Sequence, residues 1–90
     1  MRVKARHILV EDLTIANDLI SRLQSGESFA QLAQQYSRCG SSHRGGDLGH
    51  FGPGQMVTPF EDATFALAVN ETTKQPVQTQ FGYHIIQRTE

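Results

Sequence analysis

Three residues that could do chemistry stand far apart in the sequence: His7, Cys39 and His84. A cysteine beside a histidine is the pairing that activates a thiol nucleophile, as in a cysteine hydrolase. Histidine and cysteine also bind zinc, but no two of the four histidines have helical ligand spacing and Cys39 is the single cysteine. Each residue also has a plainer interpretation, since buried histidines are usually hydrogen-bonded core residues and a lone cysteine is usually a small buried hydrophobe.

The two histidines lie on segments that are predicted strands. His7 lies in Val3–Val10, which is rich in β-branched and apolar residues, and His84 lies in residues 83–87, after a Phe81-Gly82 turn. Neighbouring strands of a small sheet would bring the two imidazoles together. A buried pair of this kind could share at most one extra proton, so we expect neutral tautomers at pH 7.

The segments between these strands predict the rest of the fold. Apolar residues at helical spacing predict a helix from Leu13 that stops at Gly26, and a capping pattern from Ser28 to Gln31 predicts a second, short helix. Residues 47–51 alternate as a strand, Pro59 can begin a third helix over 60–66, and 76–79 has the pattern of an edge strand. This β-α-α-β-α-β-β order predicts one α+β domain over residues 1–90, with a four-stranded mixed sheet surrounded by three to four short helices.

Composition narrows the classes of partner. The net charge is −1, with eight basic and nine acidic residues and no block of like charge, which disfavours nucleic acid or a charged membrane surface as a partner. The apolar stretch near the N-terminus is too short for a signal peptide, and no run has transmembrane length. We therefore expect a cytoplasmic location if the chain is a complete product, and a monomer.

Four motifs, taken together, resemble those of the parvulin (PpiC or rotamase) family of peptidyl-prolyl cis/trans isomerases. They occur in the family's order and at its spacing, and they span nearly the whole chain. Each motif alone would be a weak signal. The motifs are His7-Ile8-Leu9-Val10, Arg44-Gly45-Gly46-Asp47-Leu48-Gly49, Gly54-Gln55-Met56-Val57 and Phe81-Gly82-Tyr83-His84-Ile85-Ile86.

The resemblance implies a role for four catalytic-site residues. His7 and His84 match the family's paired histidines, which form a hydrogen-bond network under the active site, and Thr79 matches a hydroxyl that joins this network. Cys39 matches a position where the family carries Cys or Asp, and would lie over the prolyl carbonyl. Without the resemblance, Thr79 would be interpreted as a surface strand former.

The resemblance also implies an apolar cup for the proline ring, formed by Leu48, Met56 and Phe60. Leucine and phenylalanine are ordinarily core residues, but Met56 follows a Gly-Pro-Gly break and is expected at an exposed lip. Gln55 matches a residue that faces the bound peptide. Two further aromatic residues could add apolar wall, Phe81 and Tyr83.

The implied activity is non-covalent rotation about X–Pro bonds in peptides or unfolded client proteins, without a cofactor or a metal. Two alternatives stay open: a peptide-binding module of the same fold, and a cysteine hydrolase that uses Cys39. Phosphate-directed parvulins insert a basic loop after the first strand, whereas this chain has only Glu11-Asp12 there. We therefore expect no phosphate requirement and a preference for neutral or apolar residues before proline, although His43 and Arg44 could attract an acidic residue.

Overall fold

The computed structural model describes residues 2–90. Strands and helices follow one another in the order predicted from the sequence, with a short 3-10 turn, Gly40–Arg44, before the second strand. The strands are β1 (Val3–Val10), β2 (Asp47–Phe51), β3 (Val77–Thr79) and β4 (Gly82–Arg88); the helices are α1 (Leu13–Gln24), α2 (Phe29–Tyr36) and α3 (Thr58–Ala66). The predicted α+β class is confirmed.

The four strands form one sheet in the order β2-β1-β4-β3. The prediction of a mixed sheet is wrong, because all three strand pairs are antiparallel. After α1 and α2 the chain rejoins the sheet midway along β1, where β2 begins beside Arg6 and runs antiparallel to β1 as far as Val3. The last two strands pair as a hairpin, which leaves β3 at one edge of the sheet.

Alternation along β1 divides its side chains between two apolar layers. Ile8 and Val10 face α1 and α2, whereas Val3 and Ala5 face the opposite layer, which contains Phe60 of α3. Because side chains alternate along a strand, His7 lies on the α3 face with Val3 and Ala5. The same period in β4 places His84 on the face of Ile86. Both histidines therefore face α3.

Local hydrogen bonds fix where the first two helices begin. The carboxylate of Asp12 accepts the backbone N–H groups of Thr14 and Ile15, at 2.7 and 3.3 Å, and so satisfies donors that α1 leaves unpaired in its first turn. Ser28 accepts the N–H of Gln31 at 3.3 Å and caps α2, as predicted. Asp12, the second residue of the connection after β1, is thus the N-cap of α1.

Two consecutive glycines pack the segment after Cys39 against the rest of the fold. Gly45 and Gly46 have positive φ angles of 66° and 86°. Gly46 accepts the N–H of His7 at 3.0 Å and donates its own N–H to Ser41 at 2.9 Å. A Cβ atom at Gly46 would overlap the carbonyl oxygen of His7, so only glycine fits this position.

No helix in residues 2–90 is long and apolar enough to cross a membrane.

We predict that Gly46→Ala lowers the free energy of unfolding by about 2 kcal/mol more than Gly54→Ala does. The two positions have nearly the same φ, +86° and +87°, so the free-energy cost of placing alanine in a left-handed backbone conformation is the same at both. They differ because a Cβ at Gly54 meets nothing within 4 Å, whereas one at Gly46 meets the backbone of His7. Urea denaturation of the two variants measures the difference, and equal losses would contradict the close approach at His7.

Candidate active site

A cleft of about 430 Å³ opens on the α3 face of the sheet. Its lining is mainly apolar and includes eight of the nine site residues predicted from the sequence. The ninth, Thr79, contacts the lining through a hydrogen bond to His84. The cleft is lined by His7, Leu9, Cys39, Leu48, Gln55, Met56, Val57, Phe60, Phe81 and His84.

The floor of the cleft is a contact between His7 and His84. In the β1–β4 ladder His7 is opposite Ile86 and Leu9 is opposite His84, so the two histidines are diagonal neighbours on one face. Their Nδ1 atoms lie 3.0 Å apart. The ring of Phe60 stands edge-on to both imidazoles, with centroid distances of 5.4 Å to His7 and 5.1 Å to His84.

Burial keeps both imidazoles neutral. The side chains of His7 and His84 are 5% and 4% exposed. The pKa of each ring is lowered to about 4, in both cases chiefly by the loss of hydration and for His7 also by the proximity of His84. At pH 7 the pair is uncharged, as the sequence analysis expected.

The hydrogen bond between the two Nδ1 atoms restricts the tautomers of the pair. One Nδ1 must carry the proton and the other must accept it. Nε2 of His84 lies 2.7 Å from Oγ1 of Thr79, whereas Nε2 of His7 is buried without a partner. A buried N–H without a partner is rarer than a buried acceptor without one, so Nε2 of His7 is favoured as the unprotonated nitrogen. His7 then donates from Nδ1 to His84, and His84 donates from Nε2 to Thr79.

Cys39 enters the cleft from the segment that follows α2. It precedes the 3-10 turn, and its thiol is free and half-buried. The hydroxyl of Ser37 accepts the N–H groups of Leu9 and Cys39, at 3.0 and 3.4 Å, while the N–H of Arg38 donates to the carbonyl of Leu9 at 2.8 Å. Sequence reasoning missed Ser37, which fastens the cysteine segment to β1.

The other wall comes from β2, α3 and the loop between them. Leu48, Met56 and Val57 are half-buried and pack against the core cluster that contains Phe60. The Gln55 side chain accepts the N–H of Gly52 at 2.5 Å and therefore helps to hold the loop that carries Met56. Val57 and Leu9 also line the cleft and were not predicted as site residues, although each belongs to one of the quoted motifs.

The turn between β3 and β4 places two predicted aromatic residues differently. Phe81 lines the cleft and is 57% exposed. Tyr83 was expected as a wall residue, but this is wrong, because it packs against the cluster under α1 and α2 on the other face of the sheet. The two-residue period of β4 explains the difference, since Tyr83 precedes the inward-facing His84 by one position.

Within residues 2–90 no group of three or more histidine, cysteine, aspartate or glutamate side chains is arranged to hold a metal ion.

Comparison with known proteins identifies the family. The family model for the PPIC-type PPIASE domain matches residues 1–90. The chain is 50% identical over 90 residues to the foldase protein PrsA of Geobacillus sp. (strain WCH70), covering 99% of this chain and 32% of that protein. It is 52% identical over 80 residues to the peptidyl-prolyl cis-trans isomerase pin1 of Rhizopus delemar, covering 88% of this chain and 53% of that protein.

Solved structures agree with this assignment. PrsA from Bacillus subtilis superposes with a TM-score of 0.95 at 46% identity, over 99% of this chain and 35% of that one. NmPin, the parvuline of Nitrosopumilus maritimus, superposes with a TM-score of 0.88 at 44% identity, over 99% of this chain and 96% of that one. The chain belongs to the parvulin family of peptidyl-prolyl cis/trans isomerases. It spans about a third of the length of the PrsA relatives.

We predict that the chain loses stability as the pH falls from about 6.5 to about 4. Between these values the unfolded histidines bind protons that the buried rings of His7 and His84 exclude, so the unfolded state is favoured by acid. The stabilisation that comes from keeping both rings neutral is complete above pH 6.5. We expect the free energy of unfolding to fall by about 2 kcal/mol or more between pH 6.5 and pH 4. Urea denaturation at half-unit pH steps measures it, and a constant free energy of unfolding from pH 6.5 to 4.5 would contradict the assignment.

Proposed function

We propose that this cleft isomerises X–Pro peptide bonds without forming a covalent intermediate. The observation that carries the proposal is an apolar cleft whose floor is a pair of neutral, mutually hydrogen-bonded histidines. Such a site can exclude water and hold a proline while offering few strong donors to the amide. Leu48, Met56 and Phe60 are the proposed cup for the pyrrolidine ring.

The proposed chemistry needs only preferential binding of the twisted amide. Rotation about a peptide bond faces a barrier of roughly 18–20 kcal/mol, and isomerisation of X–Pro without a catalyst takes tens to hundreds of seconds. Twisting removes conjugation and lowers the charge on the carbonyl oxygen. A site that fixes the ring and withholds strong donors from that oxygen therefore favours the twisted form over the planar one. Each tenfold acceleration requires about 1.4 kcal/mol of this preference.

Cys39, Thr79 and the histidines have different proposed roles. Cys39 faces the rotating carbonyl as a weak donor, which suits an amide whose oxygen loses charge. His7 and His84 lie beneath the reacting atoms and support them. Thr79 orients His84 through the contact between Oγ1 and Nε2.

The proposed substrates carry no phosphate before the proline. Arg38, which adjoins Cys39, is paired with Glu11 at 3.2 Å. Asp12 is occupied in capping α1. The segment after β1 therefore carries two carboxylates and no basic residue, and the nearby Arg38 is paired. An apolar or neutral residue is favoured before the proline.

The proposed partners are proline-containing peptides and unfolded protein clients, with the chain acting as a monomeric single domain and without nucleic acid or membrane. A cytoplasmic location stays a prediction from the sequence. The relatives include foldase proteins about three times as long as this chain as well as a Pin protein of nearly its own length.

A peptide-binding module that does not catalyse isomerisation is the second candidate function. It is favoured by the match to SurA-like chaperones of Campylobacter jejuni, of which the chain covers 38% of the length at 42% identity. Exchange between cis and trans forms of a short Ala-Leu-Pro-Phe peptide, followed by NMR, separates the candidates. Acceleration supports catalysis, and binding without acceleration overturns it.

We predict that Cys39→Asp retains at least about one tenth of the wild-type kcat/KM for isomerisation, a loss of no more than about 1.4 kcal/mol in transition-state binding. The reason is that a non-covalent site needs a small, weakly interacting group at this position and does not need a nucleophile. The same samples are checked for peptide cleavage by chromatography. Cleavage by the wild type that disappears in Cys39→Asp would show a cysteine hydrolase instead.

We predict that a Ser-Pro peptide is isomerised at least as efficiently as the same peptide with phosphoserine, as measured by kcat/KM. The Glu11→Gln variant releases Arg38 from its ion pair and should raise the relative efficiency with phosphoserine by about twofold, the effect of one exposed charge pair. Asp18→Asn is the control, because it removes an exposed carboxylate of α1 and so changes the net charge by the same amount. A preference of the wild type for phosphoserine by tenfold or more would contradict the proposed substrate class.

A further inference from the structure

The cleft has a second apolar part besides the proposed proline cup. Leu9 and Phe81 line this part, and neither packs in the cluster that contains Phe60. Gly82 lets the β3–β4 turn close on Leu9, since a Cβ there would lie 3.3 Å from Leu9 Cδ1 and closer still to the carbonyl of Val10. The turn thus places an aromatic ring at the rim beside an aliphatic side chain.

The exposure of Phe81 requires an explanation. More than half of this ring, 57%, is accessible to solvent although it lines an apolar cleft. Covering an exposed aromatic surface with an apolar group is favourable by about 25 cal/mol for each Å² buried. A peptide in the cleft would supply that cover.

The backbone contacts indicate which side chain of the peptide would lie there. Leu9 is fastened on both sides to the segment of Cys39, through Ser37 and through the N–H of Arg38. Under the proposed function, Cys39 faces the carbonyl that rotates, and this carbonyl belongs to the residue before the proline. The side chain of that residue is therefore the one nearest to Leu9 and Phe81.

One hydroxyl connects Phe81 to the histidine floor of the cleft. Oγ1 of Thr79 accepts the backbone N–H of Phe81 at 3.1 Å and contacts Nε2 of His84 at 2.7 Å. The position of Phe81 is consequently tied to a buried ring that cannot shift without disturbing its partner, His7. Serine would preserve both contacts, whereas valine would remove both.

We propose that Leu9 and Phe81 form a subsite for an apolar side chain directly before the proline, and that Thr79 is a positioning residue that holds Phe81 in this subsite. The inference rests on the proposed function, because it assigns the preference of the same site. It makes Phe81 a specificity-determining residue. Thr79 acts through Phe81 and need not touch the substrate.

The test compares peptides that differ only in the residue before proline, leucine or alanine, and takes the ratio of their catalysed kcat/KM values. The wild type should favour leucine. Phe81→Ala should lower this ratio by about threefold or more, mainly through the KM for the leucine peptide, since one side of an apolar contact is lost. Gln80→Ala, in the same turn, should keep the wild-type ratio.

The Thr79 variants test the positioning role. Thr79→Val should lower the leucine-to-alanine ratio as Phe81→Ala does and shift the NMR signal of the Phe81 amide, and Thr79→Ser should restore both. An unchanged ratio in Phe81→Ala overturns the subsite, and an unchanged ratio in a folded Thr79→Val overturns the positioning role. The failure of the proposed function is distinguishable, because the wild type would then accelerate neither peptide.

Discussion

The architecture of the cleft depends on one hydrogen bond, between the Nδ1 atoms of His7 and His84. It requires that one Nδ1 carries a proton and the other does not, so at most one ring can be charged. Burial lowers both pKa values to about 4 and so keeps both rings neutral at pH 7. The strand register makes the contact possible, because β1 and β4 are adjacent although their histidines are 77 positions apart in sequence. Under the proposed function, the imidazoles act as a rigid support beneath the cleft and do not exchange protons with a substrate.

The surrounding fold brings three independent segments to this support. The cysteine segment is fastened to β1 through Ser37, the loop that carries Met56 is held by the side chain of Gln55, and the β3–β4 turn is held by Thr79. Each attachment is a hydrogen bond between a polar side chain and a backbone N–H group. The surfaces that the three segments present to the cleft are mainly apolar. Preorganised walls of this kind allow a site to discriminate between a planar and a twisted amide, because the walls do not have to rearrange when the amide twists.

Much of this arrangement could be predicted from the sequence, because its signals are local or carried by motifs. The bounds of β1, the Ser28 cap and the presence of both histidines on strands follow from periodicity and capping chemistry. The direction of β2 does not, because strand pairing depends on how the helical connection crosses the sheet. Ser37 was missed for a related reason, since its hydroxyl serves a strand 28 positions away. Tyr83 was misplaced because a one-residue shift along a strand moves a side chain to the other face.

The nitrogen shifts of the imidazoles at pH 7, assigned by long-range proton–nitrogen NMR with His43→Gln and His50→Gln as assignment controls, test the central claim most directly. The account predicts that both His7 and His84 are neutral and that one ring carries its proton on Nδ1 while the other carries it on Nε2. The favoured arrangement has the Nδ1 proton on His7. Two rings that both carry the proton on Nε2 would contradict the hydrogen bond on which the support of the cleft depends, and a charged imidazolium at either position would contradict the neutrality of the pair.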